Sequence, residues 1–167
     1  MPETAYLSLG SNLGDRESRL RDAISRLGSD GRVAAVSSFY ETEPVEVTAQ
    51  PWFLNCAIAL ETTKTPEVLM ASILRIEQEI GRKREHKKGP RTIDIDVLLF
   101  GNAVIDTVVL TVPHPAMHKR RFVLEPLAEI APEALHPLLN KTALELLEGL
   151  PPGQEVTRKI RPRISME

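Results

Sequence analysis

The chain has 167 residues, of which 42% are hydrophobic and 26% are charged, a composition typical of a soluble globular protein. At about 150 residues per domain, this length predicts one domain over residues 1–167, long enough to bury a core without disulfides. Twenty-one Lys and Arg residues against 23 Asp and Glu residues give a formal charge of −2. This balance argues against a surface built throughout for nucleic acid or for an anionic membrane.

Cysteine content and apolar runs indicate the compartment. The single cysteine, Cys56, favours a reducing compartment because it has no partner for an internal disulfide, and we expect it to be a small buried residue. The first residues lack the basic and apolar regions of a signal peptide, and no apolar run approaches the roughly 20 residues of a membrane span. We therefore predict a cytoplasmic protein.

The first third of the chain predicts a strand, a helix and two further strands. Ala5 to Leu9 is a short apolar run that ends in a glycine-bounded turn. A helix is expected from Arg16 to Leu27, because leucine and isoleucine recur at helical spacing and Asp15 can cap its first turn. The two further strands are expected at the β-rich runs Val33 to Glu43 and Trp52 to Glu61.

A second helix and a further strand follow. Thr65 is expected to cap a helix that ends at Gly81, since a proline and a glutamate occupy its first turn. Thr92 to Phe100 alternates apolar residues with Asp94 and Asp96, as a half-buried strand does. The order β-α-β-β-α-β predicts the α+β class, with an antiparallel sheet and helices packed on one face.

The last third is less regular. Val104 to Val112 predicts an edge hairpin, and Arg120 to Ile130 predicts a helix interrupted near Pro126. Thr142 opens a short helix with a capping box. The stretch from Gln154 to Glu167 is interpreted as a strand with a frayed tail.

The most informative segment is basic and leads into the last predicted strand of the sheet. Six of the ten residues from Arg82 to Arg91 are Lys or Arg. Asp94 and Asp96 follow, and at i and i+2 of a strand their carboxylates point to the same face, about 7 Å apart. Mg²⁺ would relieve their repulsion, and the adjoining guanidinium groups could bind phosphate. The alternative is a solvated strand face beside a solvated basic loop.

Other polar and aromatic positions have two interpretations each. Gly10 to Gly14 joins a strand to a helix as a phosphate loop does, but lacks the Gly-Lys-Ser/Thr ending, so we interpret it as a tight structural turn. His114 lies between two prolines, in a rigid loop that can hold a polar side chain in place. Phe53 and Phe122, with Asn55 near the first, could hold a flat heterocycle, although phenylalanine more often packs in a core.

Taken together, the motifs resemble one family. In order along the chain from about Ala5 to Pro132, they are Leu9 to Gly14, Ser37 to Thr42, Gln50 to Asn55, Gly89 to Asp96, Val112 to Pro115 and Arg121 to Leu124. In this order and spacing they resemble the 6-hydroxymethyl-7,8-dihydropterin pyrophosphokinases of folate biosynthesis. These enzymes transfer pyrophosphate from ATP to the hydroxymethyl group of the pterin and release AMP. The resemblance implies a ferredoxin-like two-layer sandwich, which agrees with the predicted element order.

The resemblance also implies how ATP is bound. Asp94 and Asp96 would hold two Mg²⁺ ions that bridge the triphosphate and would be catalytic. Arg82 and Arg91 would be catalytic as well, neutralising charge as the β-phosphorus is attacked. The positions that match nucleotide contacts in the family are Glu77, Arg84, His114 and Arg120.

For the pterin, the resemblance implies a sandwich of aromatic rings and a polar edge. Phe53 and Phe122 would stack on the two faces of the pterin ring. Thr42, Val45 and Asn55 would meet its hydrogen-bonding edge. The expected partners are ATP and the pterin alone, with no nucleic acid, no membrane and a monomeric chain.

Two alternatives belong to other classes of protein. A ferredoxin-like module could use the basic loop to bind RNA, but such sheets stack bases on exposed aromatics, and aromatics are only 4% of this chain. A regulatory domain could bind ATP or pterin without turnover. That alternative predicts that some of the charged residues acting on the triphosphate are missing. All four are present: Arg82, Arg91, Asp94 and Asp96.

Overall fold

The predicted order of strands and helices is present in the computed structural model, which describes residues 1–43, 51–81, 92–153 and 156–160. Its main helices are α1 (Arg16–Leu27), α2 (Pro66–Gly81), α3 (Arg121–Ile130) and α4 (Ala143–Glu148), with a 3₁₀ turn at Met117–Lys119. Its strands are β1 (Glu3–Ser11), β2 (Arg32–Val36), β3 (Phe39–Thr42), β4 (Phe53–Thr62), β5 (Asp94–Phe100), β6 (Ile105–Asp106), β7 (Thr111–Val112), β8 (Leu135–His136), β9 (Lys141–Thr142) and β10 (Val156–Ile160).

The main sheet is antiparallel and has the ferredoxin-like arrangement. Its strands run in the order β10-β3-β4-β1-β5, and β2 pairs with the same edge of β4 as β3 does. The predicted α+β fold class is therefore confirmed. β10 lies in the C-terminal stretch interpreted as a strand, and it covers the edge of β3, with Val156 opposite Thr42. β6 and β7 form the predicted edge hairpin.

The predicted helix starts are confirmed by their caps. The Asp15 side chain accepts a hydrogen bond from the Ser18 N–H (3.1 Å), and the Thr65 hydroxyl accepts one from the Val68 N–H (3.2 Å). Thr142 and Glu145 exchange the two hydrogen bonds of a capping box at α4. These caps satisfy N–H groups that a helix leaves without partners, so they fix where each helix begins.

Two apolar clusters lie on opposite faces of the sheet. The first core packs α1 and α2 against the sheet and includes Leu7, Leu9, Leu20, Ile73 and Ile95. The second core packs α3 and α4 against the other face and includes Ala57, Leu98, Leu124, Leu127 and Leu146. Helices on one face were predicted, so the layer formed by α3 and α4 is an addition to the two-layer sandwich.

Some predicted elements differ from the structure in their bounds or their continuity. The strand expected over Val33 to Glu43 is broken into β2 and β3. At the break, the Ser37 hydroxyl, rather than a backbone carbonyl, accepts the hydrogen bond of the Ala57 N–H (2.8 Å). β1 continues through Gly10 to Ser11, so the turn starts later than expected. The interruption expected at Pro126 is wrong: α3 is continuous, and Pro126 is a buried residue within it.

Cys56 is fully buried in the first core, as expected for a small apolar residue. Burial raises the pKa of its thiol, which keeps it protonated and unreactive. Within the described ranges, every helix falls short of the length and apolar character that crossing a bilayer requires.

Candidate active site

One end of the sheet is polar on the face that carries the second core. Leu7 and Leu9 of β1 belong to the first core, so alternation places Ser8 and Gly10 on the opposite face. The same argument places the side chains of Asp94 and Asp96 in β5, of Phe53 and Asn55 in β4, and of Tyr40 and Thr42 in β3 on that face. We call Ser8, Gly10, Thr42, Asn55, Asp94 and Asp96 the polar end of the sheet.

The two aspartates lie on β5 beside the smallest residues of β1. Asp94 is opposite Gly10 and Asp96 is opposite Ser8 in the antiparallel register, and both carboxylates are half-buried. Both neighbours on β1 are small residues, and neither carries a side-chain charge that would pair with the carboxylates. The predicted convergence of the two aspartates on one face is therefore present.

Glu77 supports β5 from α2. Its Oε2 accepts a hydrogen bond from the Ile95 N–H (2.8 Å), the backbone amide between the two aspartates. Glu77 therefore fixes the outer edge of the strand that carries them. Its predicted contact with the nucleotide stays a prediction.

The candidate pterin-binding side chains of β3 and β4 are held together. Asn55 is paired with Tyr40 and Gly10 across the sheet, Thr42 with Phe53, and the Thr42 hydroxyl donates to Asn55 Oδ1. The Asn55 amide also donates to the Leu9 carbonyl (3.4 Å). Both ends of the amide are thus oriented, and each retains hydrogen-bonding capacity for a ligand.

Gly10 is required for this arrangement. A Cβ at residue 10 would lie 2.4 Å from Asn55 Nδ2 and 3.5 Å from Phe53 Cδ2. The sequence analysis placed Gly10 in a turn, whereas it lies within β1, where the close approach of a neighbouring side chain excludes a larger residue.

Phe122 and Arg120 lie at the start of α3. Phe122 is half-buried against the second core, and the Arg120 guanidinium lies 5.5 Å from the centroid of its ring. This distance is within the range of a cation–π contact, which orients both side chains.

His114 and Asp96 line the same cavity. The cavity has a volume of about 230 Å³ and lies along β5, with Met70, Val109, Leu110 and Thr111 among its other lining residues. Burial lowers the pKa of His114, and the positive charge of Arg120 lowers it further, while Asp94 raises it. His114 Nδ1 accepts the Ala116 N–H (3.2 Å), so the proton of the neutral ring is on Nε2, which can donate to an acceptor such as phosphate.

Four predicted site residues lie outside the described residues. Arg82, Arg84 and Arg91 belong to the basic segment, and Val45 follows β3. Their predicted roles stay predictions.

A half-buried carboxylate that the sequence analysis missed connects α3 to β3. Glu129 accepts hydrogen bonds from the Tyr40 hydroxyl (2.6 Å), the Ser38 hydroxyl (2.9 Å) and the Ser38 N–H (3.1 Å). No local pattern indicates it, since Glu129 and Tyr40 are 89 residues apart. It connects the helix that carries Phe122 to the strand that carries Thr42.

Solved structures with this fold include the HPPK-DHPS of Plasmodium falciparum. The wild-type structure with pteroate is 15% identical in sequence, with a TM-score of 0.71 over 89% of this chain and 44% of that chain. The wild-type structure with pterin and p-hydroxybenzoate is 17% identical, with a TM-score of 0.69 over 89% of this chain and 43% of that chain. This chain therefore spans less than half of those proteins, and the likeness shows the shared fold.

Sequence comparison identifies the family. Residues 6–132 match the family described as 7,8-dihydro-6-hydroxymethylpterin-pyrophosphokinase (HPPK). The 2-amino-4-hydroxy-6-hydroxymethyldihydropteridine pyrophosphokinase of Bacillus subtilis is 49% identical over 78% of this chain and 79% of its own length. That of Methylorubrum extorquens is 45% identical over 89% of this chain and 94% of its own. The folic acid synthesis protein fol1 of Schizosaccharomyces pombe is 43% identical over 88% of this chain and 20% of its own.

The family match and the named relatives thus define a pyrophosphokinase. The chain is a member of the HPPK family. The predicted function is confirmed at this level: transfer of pyrophosphate from ATP to 6-hydroxymethyl-7,8-dihydropterin in folate biosynthesis.

Proposed function

We propose that the polar end of the sheet is where ATP and the pterin meet and that the reaction depends on Mg²⁺. The observation that carries the proposal is the position of Asp94 and Asp96 on one face of β5, opposite Gly10 and Ser8. Two carboxylates beside small residues form the part of the sheet to which a metal-bound triphosphate fits best.

The donor set suits Mg²⁺. Groups of three or more His, Cys, Asp or Glu side chains arranged to hold a metal are absent among the residues that the structure describes. Asp94 and Asp96 would therefore supply one or two ligands per ion, and substrate phosphates and water the others, which is the coordination Mg²⁺ favours. When bound, Mg²⁺ neutralises phosphate charge and increases the electrophilicity of the β-phosphorus.

In the proposed reaction, the hydroxymethyl oxygen of the pterin forms a bond to the β-phosphorus as the bond from that phosphorus to the α-phosphate oxygen breaks. AMP leaves, and the proton of the hydroxyl passes to Asp94 or Asp96. Arg82 and Arg91 would balance the charge that develops. Positioning and electrostatic stabilisation supply most of the catalysis in such transfers.

The nucleotide would lie in the cavity beside β5. His114 Nε2–H would donate to a phosphate oxygen, and Arg120 and Arg84 would add positive charge. Glu77 would contribute by holding the Ile95 amide and with it the spacing of the two aspartates.

The pterin would lie on the β3–β4 side of the polar end. Thr42 and Asn55 present a hydroxyl and an amide whose geometry is already fixed, and Val45 would complete this edge. Phe53 and Phe122 would stack on the ring. Because the Thr42 and Asn55 side chains are oriented by each other, little conformational entropy is lost when the pterin binds.

The Mg²⁺ assignment is tested by calorimetric titration of ATP with and without Mg²⁺. Asp96→Ala is expected to weaken Mg-ATP binding at least tenfold, about 1.4 kcal/mol, and to leave the weak binding of metal-free ATP unchanged. Glu133→Ala, which removes an exposed carboxylate, is the matched control and should bind like the wild type. Unchanged Mg-ATP affinity in Asp96→Ala would refute the assignment.

We further propose a monomeric cytoplasmic enzyme made of one domain over residues 1–167. Analytical ultracentrifugation tests the monomer, which should sediment as a single species near the chain mass of 18.6 kDa.

A further inference from the structure

One arginine, on the face of the sheet opposite the polar end, contacts two chain segments that are far apart in sequence. The Arg16 guanidinium donates to both carboxylate oxygens of Glu41 (2.7 and 2.8 Å) and to the Trp52 carbonyl (2.9 Å). Both charged side chains are only 23% exposed. Arg16 is the first residue of α1, so its position is fixed by the capped start of that helix.

The two partners of Arg16 directly precede two candidate pterin-binding residues. Glu41 precedes Thr42 at the end of β3, and Trp52 precedes Phe53 at the start of β4. Alternation along β3 places Glu41 on the α1 side and Thr42 on the ligand side. A single guanidinium therefore contacts both the end of β3 and the residue before β4. It does so on the face of the sheet opposite the polar end.

We propose that Arg16 is a positioning residue for pterin recognition, acting through Glu41 and the Trp52 carbonyl without touching the substrate. This inference rests on the proposed pterin site at Thr42, Phe53 and Asn55. Without the Arg16 contacts, the ends of the two strands would sample more conformations, and only a fraction of the molecules would present Thr42 and Phe53 correctly.

The chemistry of the contact favours arginine over lysine. The planar guanidinium reaches two carboxylate oxygens and a carbonyl at once, whereas an ammonium is a point charge with no such fork. Lysine at position 16 would keep the ion pair but lose this geometry. We therefore expect Arg16→Lys to restore binding only in part.

The test measures equilibrium binding of 6-hydroxymethyl-7,8-dihydropterin together with steady-state kinetics. Arg16→Ala is expected to raise the pterin Kd and KM roughly tenfold, as when the binding-competent population falls to a tenth. Neither kcat nor the KM for ATP should change more than about twofold. Arg32→Ala is the matched control, since it removes an arginine–glutamate pair with Glu61 at the other end of the sheet, and its pterin affinity should equal that of the wild type.

Asn55→Ala separates failure of this inference from failure of the proposed site. If Asn55→Ala weakens pterin binding and Arg16→Ala does not, Arg16 has no positioning role. If Asn55→Ala also binds normally, the proposed pterin site is wrong and the role of Arg16 is wrong with it. Equal losses of pterin and ATP affinity in Arg16→Ala would indicate general destabilisation and would likewise overturn the inference.

Discussion

Substitution of Gly10 should separate pterin binding from ATP binding. An alanine Cβ would lie 2.4 Å from Asn55 Nδ2, well inside contact distance, and 3.5 Å from Phe53 Cδ2, an ordinary contact. Asn55 is buried and its amide is already bonded to Thr42 and Leu9, so it must move to relieve the clash. Overpacking of this kind costs about 1 to 3 kcal/mol. The displaced Asn55 must return to its present position to bind the pterin, so this cost is subtracted from the binding free energy. Gly10→Ala should therefore raise the pterin Kd by about 5- to 150-fold.

The assay is equilibrium titration of the pterin, with ATP affinity measured in parallel and expected to change little. Gly153→Ala is the control, because no atom of the described residues lies within 4 Å of a Cβ at that position. The double variant Gly10→Ala/Asn55→Ala should bind the pterin no more weakly than Asn55→Ala alone, since the clash has lost its partner. Wild-type pterin affinity in Gly10→Ala, or full additivity in the double variant, would refute the reasoning.

Two further predictions concern stability. Glu129→Ala should lower the free energy of unfolding in urea by about 3 kcal/mol, because it leaves buried donors of Tyr40 and Ser38 without an acceptor. The surface control Glu125→Ala should lower it by less than about 1 kcal/mol. Equal losses in the two variants would contradict a special role for Glu129. For pH, burial lowers the pKa of both His114 and His136 below 6.5 in the folded state. The unfolded chain therefore takes up these protons first as pH falls, and the unfolding free energy should decrease from about pH 7.5 to pH 5.5; a constant or rising value would contradict the sign.

Local signals made much of the fold predictable. The caps at Asp15, Thr65 and Thr142 each involve residues three apart, so the sequence displays them directly. The alternation of apolar residues with Asp94 and Asp96 likewise shows which face of β5 each side chain takes. Periodicity and capping are properties of short segments, and both were found where they were expected.

Long-range contacts could not be predicted from such segments. The break at Ser37 involves a hydrogen bond to Ala57, 20 residues away, and α3 continues through Pro126, which is buried. The contact of Arg16 with Glu41 spans 25 residues and has no local signature. The candidate site could be predicted from the sequence only where its residues are neighbours in one strand or match a family motif.

The measurement that tests the central claim most directly is product analysis with ATP and Mg²⁺, with and without 6-hydroxymethyl-7,8-dihydropterin. Pyrophosphate transfer predicts AMP that forms only when the pterin is present, in amounts equal to the pterin diphosphate, with no ADP. ADP would mean attack at the γ-phosphorus and a different kinase reaction. Binding of both ligands without any AMP would contradict the account, because the chain would then hold the substrates without catalysing transfer.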